Sequence, residues 1–423
     1  MLFEHQLKII QEDPKTAGLF LGTGSGKTLI ALSLARGSVL VICPKTQKED
    51  QNWEREQVKN GLAYIESSDK HFRQIPITVI SKETFRRDWD KLQRFNTIIV
   101  DEAHTVLGVT PNMRYVNKQP IPKTSQLFEA LQDYLKRNPP ARLYLCTATI
   151  MRSPMTVWGA ATVLGHDWNW YEFRDVFYFK LPLPGYREIW VPKSDSATKD
   201  RLAAAVRSIG YVGRLEDFFD VPAQTYKTIH LELTAVQKKR IKDMAIEYPE
   251  PIVRTGKIHQ IENGVLAGDE FSSGETYDNA KIDAILDLAV EFPRMVIFAK
   301  YRAQIDAIAS SLREKKYKVL TLTGDTKERG KVLQEAKNAS ECIFIAQAQI
   351  SAGWELPSYP TMVFASRTYS FVDYDQSIGR IQRADNIKKN LYINLVVRGG
   401  VDEAVDKCLL NKVDFNERLY STS

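Results

Sequence analysis

Gly22, Thr23, Gly24, Ser25, Gly26, Lys27 and Thr28 stand in a row behind one apolar run, and Asp101, Glu102, Ala103 and His104 behind another. Glycines let a backbone turn tightly enough for its N–H groups to converge on phosphate oxygens. A helix opening at Lys27 would add the favourable partial charge of its N-terminus. Lys27 would then reach the β- and γ-phosphates of a nucleotide, and the Thr28 hydroxyl would ligate Mg2+. Asp101 would hold the same ion through its water shell, at the carboxyl end of a strand, where ligands of open α/β sheets gather. Glu102 would orient or deprotonate the attacking water, and His104 would link the γ-phosphate to neighbouring segments. Taken alone, the first stretch could be a glycine-rich turn and the second an exposed helix start. Both together, in this order, predict hydrolysis of a nucleoside triphosphate, with ATP and Mg2+ as cofactors.

Arg380 and Arg383 are three residues apart. On a helix that is about one turn, so both would face one way. They would supply cations to the charge that develops during phosphoryl transfer; the other reading is a solvated basic helix face.

The elements that must position these groups follow from hydrophobic runs. Ala17–Leu21, Val39–Cys43, Ile77–Ile80, Thr97–Val100 and Leu143–Cys146 read as buried strands, with Thr28–Arg36 as a helix between two of them. Met295–Ala299, Lys318–Leu322, Cys342–Ala346, Thr361–Ala365 and Leu391–Val397 repeat the pattern, with helices at Gln304–Lys315 and Val401–Leu410. Strands alternating with helices imply parallel sheets covered on both faces. The fold class is therefore α/β, as two tandem lobes with a helical and aromatic insertion between them. The lobes are placed at residues 1–222, with the insertion at about 151–222, and at 223–423. The boundary falls near Val221–Gln224, before a strand at Tyr226–Leu233. Aromatics crowd residues 166–190, including Trp168, Trp170, Tyr171, Phe173 and Trp190. They read either as the core of the inserted subdomain or as a stacking platform for bases. Ala197–Ile209 reads as a helix and 266–279 as an exposed loop.

A chain of 423 residues calls for two or three domains. Lys and Arg exceed Asp and Glu by 58 − 52 = 6, a mildly basic balance that permits a local nucleic-acid patch without demanding one. The run Lys238, Lys239, Arg240 with Lys242 could be such a patch or an ordinary solvated helix face. Cys43, Cys146, Cys342 and Cys408 lack metal-ligand spacing and are expected to be reduced thiols of a cytoplasmic protein. The first residues carry no basic and apolar leader pattern, and no apolar run approaches the roughly 18–20 residues a membrane span needs.

These motifs resemble those of superfamily 2 helicases and translocases, nearly end to end. Gly22–Thr28 resembles the first motif, although Leu21 stands where the strict pattern has its first glycine. Asp101–His104 resembles the second motif, Thr147 to Thr149 the third, Gln349–Leu356 the fifth and Gln376–Arg383 the sixth. The resemblance implies RecA-like lobes and places Gln6 as an adenine-reading residue. It adds Gln376 to the nucleotide site and makes Thr147, Thr149, Gly353 and Glu355 coupling residues. For nucleic acid it nominates Pro44, Lys45, Thr46, Ser81 and Lys82 in the first lobe. In the second it nominates Lys300, Tyr301, Thr323, Gly324, Gln349 and Ser351. Cys43-Pro44 followed by Asn52-Trp53, and Arg214 followed by Val221-Pro222 and Gln237, are similar to Swi/Snf-type double-stranded DNA translocases. Gln376 to Arg380 is similar to compact phage branch-migrating helicases. The resemblance thus implies a monomeric, membrane-free motor on double-stranded or branched DNA, in the cytoplasm (of the host, if phage-encoded). A DEAH-type RNA helicase and a nucleotide-gated DNA clamp without movement are the alternatives.

Overall fold

The computed structural model describes residues 2–59, 76–183, 186–220, 222–268, 274–348, 354–382 and 389–411. The chain divides into two compact units, 1–219 and 220–423.

In the first unit, β1 (Thr16–Leu21), β2 (Val39–Cys43), β3 (Ile77–Ser81), β4 (Thr97–Asp101), β7 (Arg142–Cys146) and β10 (Gly210–Gly213) form one sheet in the order β10-β1-β7-β4-β2-β3. Every pairing in it is parallel. Side chains alternate across the pleat, so each strand feeds two cores. Leu40, Ile42, Ile98, Val100, Leu143 and Leu145 pack on one face, and Val39, Val41, Cys43, Ile99, Tyr144 and Cys146 on the other. Such double burial explains why these strands read as unbroken apolar runs.

Two antiparallel ribbons project from this unit: β5 (Val109–Val116) with β6 (Gln119–Thr124), and β8 (Tyr178–Leu183) with β9 (Tyr186–Pro192). The stretch expected as an insertion between lobes proves integral to the first unit. Helix Ser196–Ser208, capped by Asp195, leads into β10, which becomes the sheet's edge strand beside β1. Gly18 and Gly210 face each other there, where an added Cβ on Gly210 would lie 2.3 Å from the Gly18 carbonyl oxygen. Trp158, Trp170, Phe177 and Tyr178 lie in the core, with Trp168, Phe173 and Trp190 packed on it. The Arg174 guanidinium is 4.2 Å from the Trp190 ring centroid and 5.0 Å from that of Trp170. Among the described residues, Tyr171 and Phe179 are the exposed rings of that segment.

The second unit holds β11 (Thr225–Leu231), β14 (Arg294–Ala299), β15 (Val319–Leu322), β16 (Cys342–Gln347), β17 (Thr361–Phe364) and β18 (Leu391–Val397). They make a parallel sheet in the order β11-β18-β17-β14-β16-β15. Val296, Phe298, Phe344 and Phe364 face one core, and Met295, Ile297, Ile343 and Val363 the other. A small ribbon, β12 (Val265–Leu266) with β13 (Glu275–Thr276), stands where a plain loop is expected. Helix Arg302–Glu314 follows β14, and helix Val401–Leu410 follows β18. The α/β class with two parallel-sheet lobes is thus realised. No described helix is long and apolar enough to cross a membrane.

Candidate active site

The glycine loop joins β1 to helix Lys27–Leu34. Gly24 and Gly26 have φ of 83° and 85°, a left-handed backbone that side chains with a Cβ rarely adopt. A Cβ on Gly26 would also lie 2.2 Å from Gln6 Nε2. Gln6 is buried beneath the loop, where its amide donates to the Ser25 carbonyl at 3.0 Å and accepts from Phe3 N–H at 3.0 Å. His5 Nε2 lies 2.9 Å from the same carbonyl, and its ring stacks on Phe218 at 4.0 Å. Gln6 therefore braces the loop from below, a role not read from the sequence. The Ser25 hydroxyl donates to the Gly22 carbonyl at 2.6 Å. Lys27 Nζ donates to the carbonyls of Leu21 and Gly22 at 2.8 and 3.0 Å. The residue in place of the strict pattern's first glycine thus supplies a backbone acceptor to the lysine. Thr23 and Thr28 are half-buried, Thr28 in the first helical turn.

Strand β7 lies between β1 and β4, so three chain segments converge at one carboxyl edge. Asp101 is the last residue of β4 and 7% exposed. Its carboxylate accepts from Glu102 N–H at 2.9 Å and from the Trp53 indole N–H at 3.2 Å. Burial, and then the Glu102 charge, push the Asp101 carboxyl up to about 7, while Lys27 pulls the other way. Glu102 has φ 45° and ψ 48°, a strained conformation for a residue with a side chain. Its carboxylate lies 3.4 Å from His104 Nδ1. That nitrogen is also 2.8 Å from Thr147 Oγ1 and 3.1 Å from Thr149 Oγ1. Burial, with Arg152 and Lys82 adding to it, holds His104 down at about 4, so the ring is neutral at pH 7. A neutral ring has one N–H, which allows Nδ1 to bridge the Glu102 segment and the threonine loop after β7.

The nominated nucleic-acid residues divide. Lys45 is exposed, and Pro44, Thr46 and Lys82 are half-buried at the ends of β2 and β3. Ser81 is 5% exposed, and its hydroxyl accepts Thr84 N–H as the cap of helix Lys82–Asp88. Thr323 is also buried, and its hydroxyl accepts from Arg302 at 2.8 Å. Gly324 is exposed beside it. The Lys300 ammonium lies over the Tyr369 ring at 3.2 Å, and the Tyr301 hydroxyl lies 2.8 Å from His259 Nδ1. Beneath them is a buried polar network that the sequence did not suggest. Lys281 Nζ donates to Asn263 Oδ1, the Ala365 carbonyl and Asp402 Oδ2 at 2.7, 2.6 and 2.8 Å. Asp402 Oδ1 faces His259 Nε2 at 3.3 Å. Lys238, Lys239 and Lys242 are exposed on helix Ala235–Glu247, while Arg240 pairs with Glu247 and Glu275.

Gln376 is buried near the end of helix Phe371–Ile378. The helical-turn argument for the arginines fails, because that helix stops before Gly379 and leaves Arg380 in a turn. Arg380 is 7% exposed and donates to the Trp354 carbonyl at 3.0 Å. Glu355 is half-buried beside that tryptophan. Arg383, Gln349, Ser351 and Gly353 lie outside the described residues. Among the described residues, no three His, Cys, Asp or Glu side chains cluster as a metal cage. Asp101 at its strand end and Thr28 in the first helical turn, the pair expected to hold Mg2+, would make a sparser site that relies on waters and phosphate oxygens.

Residues 280–385 match the helicase conserved C-terminal domain family. The pre-mRNA-splicing ATP-dependent RNA helicase prp28 of Schizosaccharomyces pombe is 26% identical over 155 residues, 36% of this chain and 23% of that protein. Its Coccidioides immitis counterpart is 24% identical over 155 residues, 36% of this chain and 19% of that protein. The chain thus spans about a fifth of the length of the curated relatives it matches. Among solved structures, the Sulfolobus solfataricus SWI2/SNF2 ATPase core in complex with dsDNA matches at 19% identity. That match covers 100% of this chain and 92% of the other, with a TM-score of 0.39. The family match thus falls within the second unit.

Proposed function

We propose that this chain is a nucleic-acid-dependent ATPase of the superfamily 2 helicase kind, which couples hydrolysis to movement along double-stranded or branched DNA. The observation that carries the proposal is the convergence at one sheet edge of the glycine loop, the Asp101–Glu102 strand end and the His104–Thr147–Thr149 cluster. The helicase-domain match of residues 280–385 supports it independently.

The residues present fit a magnesium-bound nucleotide. Glycines hold the loop in a conformation that a Cβ would obstruct, and a buried carboxylate stands close enough to Lys27 to feel its charge. Gly22 to Gly26 would present backbone N–H groups, while Thr28 and Asp101 would hold Mg2+. The nucleotide supplies the transferable phosphoryl group. Lys27 would exchange its two carbonyl partners for phosphate oxygens. Glu102 is suited to orient the attacking water and take its proton. His104, neutral and bonded to two threonines, would convey the state of Glu102 to the loop after β7. Arg380 and Arg383 are proposed to add positive charge to the reacting phosphate, for which Arg380 must leave the Trp354 carbonyl.

The test is the ATPase rate on duplex, forked, four-way-junction and single-stranded DNA, and on RNA. Duplex or branched DNA should stimulate most. Lys27→Ala and Glu102→Gln should each lower the stimulated rate at least about a hundredfold with melting unchanged, in line with the loss of a positioned catalytic base. A fully active Glu102→Gln protein would remove Glu102 from the mechanism. The likeness to the two prp28 RNA helicases favours RNA as the second reading, and strongest stimulation by RNA would establish it. Rapid hydrolysis with no displacement of a triplex strand would instead describe a clamp.

A further inference from the structure

The β5–β6 ribbon has no place in the nucleotide chemistry, yet it leaves the first sheet at the same carboxyl edge, seven residues after Glu102 by sequence. Its root is firmly built. Ser125 N–H donates to the Gly108 carbonyl at 2.7 Å, and Val109 is buried against Gly159. Beyond the root, residues 112–120 are exposed without interruption, on both faces of the ribbon. Asn117 and Lys118 make the two-residue turn, with φ of 50° and 67°, the left-handed pair that tight hairpins require.

The chemistry along this arm is specific. Tyr115 is 70% exposed, Val116 46% and Met113 38%. Residues 109–124 contain Arg114, Lys118 and Lys123 and no Asp or Glu. Arg114 reaches back to Glu129 at 2.7 Å, which leaves Lys118 and Lys123 as the outward cations of the arm. Pro111 in β5, with Pro120 and Pro122 in β6, interrupts the donor rows that a third strand would pair with. The ribbon is therefore ill suited to recruiting a protein strand. An exposed ring among cations, with no acid to repel a polyanion, suits a nucleic-acid strand. At the root, Ser125, Gln126 and Leu127 line a cleft of about 230 Å³ with Lys82, Glu83 and Arg86. This cleft sets Lys82, one of the residues nominated for nucleic acid, beside the root of the arm. The Tyr171 hydroxyl braces the arm through the Pro120 carbonyl at 3.0 Å.

We propose that the β5–β6 ribbon is a DNA-binding arm, with Tyr115 stacking on a base or sugar face and Lys118 and Lys123 set against backbone phosphates. The proposal rests on the nucleic-acid reading above and adds to it a contact outside every motif. Tyr115→Ala and Lys118→Ala change exposed residues, so folding and the ATPase rate without nucleic acid should match the parent. In fluorescence polarisation with labelled forked, duplex and single-stranded DNA and RNA, Tyr115→Ala should weaken DNA binding about tenfold. Lys118→Ala should reduce the slope of log affinity against log salt by about 1. Unchanged affinity and unchanged slope would overturn the arm while leaving the motor reading intact. A parent protein that binds no nucleic acid would overturn both. Losses confined to RNA would retain the arm's contacts but overturn DNA as its ligand.

Discussion

Trp53→Phe isolates one hydrogen bond at the base of the proposed magnesium site. Trp53 is 1% exposed, and its indole N–H donates to the Asp101 carboxylate, as does Glu102 N–H. Phenylalanine keeps a ring in that core but has no N–H. A hydrogen bond to a charged acceptor contributes about 1.5 kcal/mol, roughly one unit of pKa. Asp101, now at about 7, should move to about 8. At about pH 7 the ionised fraction would fall from about one half to about one tenth, a fivefold loss of the form that binds a cation. Near pH 9 both proteins would be almost fully ionised, so the difference should vanish. The measurement is the Mg2+ concentration for half-maximal ATPase, at neutral and alkaline pH, with the melting midpoint taken in parallel. The smaller ring should cost roughly 1–2 kcal/mol of stability through lost packing, at every pH. An unchanged Mg2+ requirement at neutral pH would refute the reasoning. So would a deficit that persists undiminished at alkaline pH, since that would assign the effect to packing.

Two further predictions concern the second unit. Asp402→Asn should destabilise that unit by about 3–5 kcal/mol in chemical unfolding, because it leaves the buried Lys281 ammonium without its counter-charge; adding Lys281→Met should recover part of the loss. Acidification should weaken the same region through His259. Burial holds that ring down at about 4, against the pull of Asp402 and with Lys300 and Lys281 nearby, while Tyr301 and Tyr369 contact its Nδ1. A depressed native pKa gives stability that is present above about 6.5 and lost as pH falls toward 4, roughly 3 kcal/mol in all. Glu262, raised to about 7 by burial, acts in the opposite sense over much of the same range. The readout is therefore the difference in unfolding free energy between parent and His259→Gln, which should shrink by about 3 kcal/mol between pH 7 and pH 4; a constant difference would refute it.

The elements legible in the sequence are those whose signal is local. Val39–Cys43, Leu391–Val397 and Val401–Leu410 appear with the bounds expected, because a strand buried on both faces or a strongly amphipathic helix writes its burial into consecutive residues. The glycine loop is legible because positive φ at Gly24 and Gly26 narrows the choice of residue. Strand β10 was hidden by its shortness and by glycine at both ends. The β5–β6 ribbon was hidden by three prolines, which argue against a strand unless it is an edge. The Asn117-Lys118 turn directly after Tyr115-Val116 is the available signal. The Trp53–Asp101 and Lys281–Asp402 contacts join residues 48 and 121 positions apart. No local pattern encodes such contacts. The spacing of Arg380 and Arg383 suggests one helical face, but the helix ends at Ile378 and Arg380 lies beyond it.

The buried charges of the two units are resolved in different ways, and the difference bears on which edge awaits a ligand. In the second unit, the Lys281 ammonium has three oxygen acceptors, and its partner Asp402 also takes the Val397 N–H. Asp402 is held well below the usual carboxylate range, as expected of an ion pair complete within the protein. Such a network fixes the Lys300–Tyr369 surface above it and asks for nothing further. Asp101 is displaced the other way: two hydrogen bonds and the charge of Lys27 do not offset its burial beside Glu102. A carboxylate kept partly protonated near neutral pH at a strand end gains its charge when a cation arrives. Phosphate oxygens would draw Lys27 off its backbone acceptors, so the proposed site needs a divalent ion and a polyphosphate together. The first unit's edge is thus an incomplete electrostatic arrangement, which the proposed pair, magnesium with ATP, would complete.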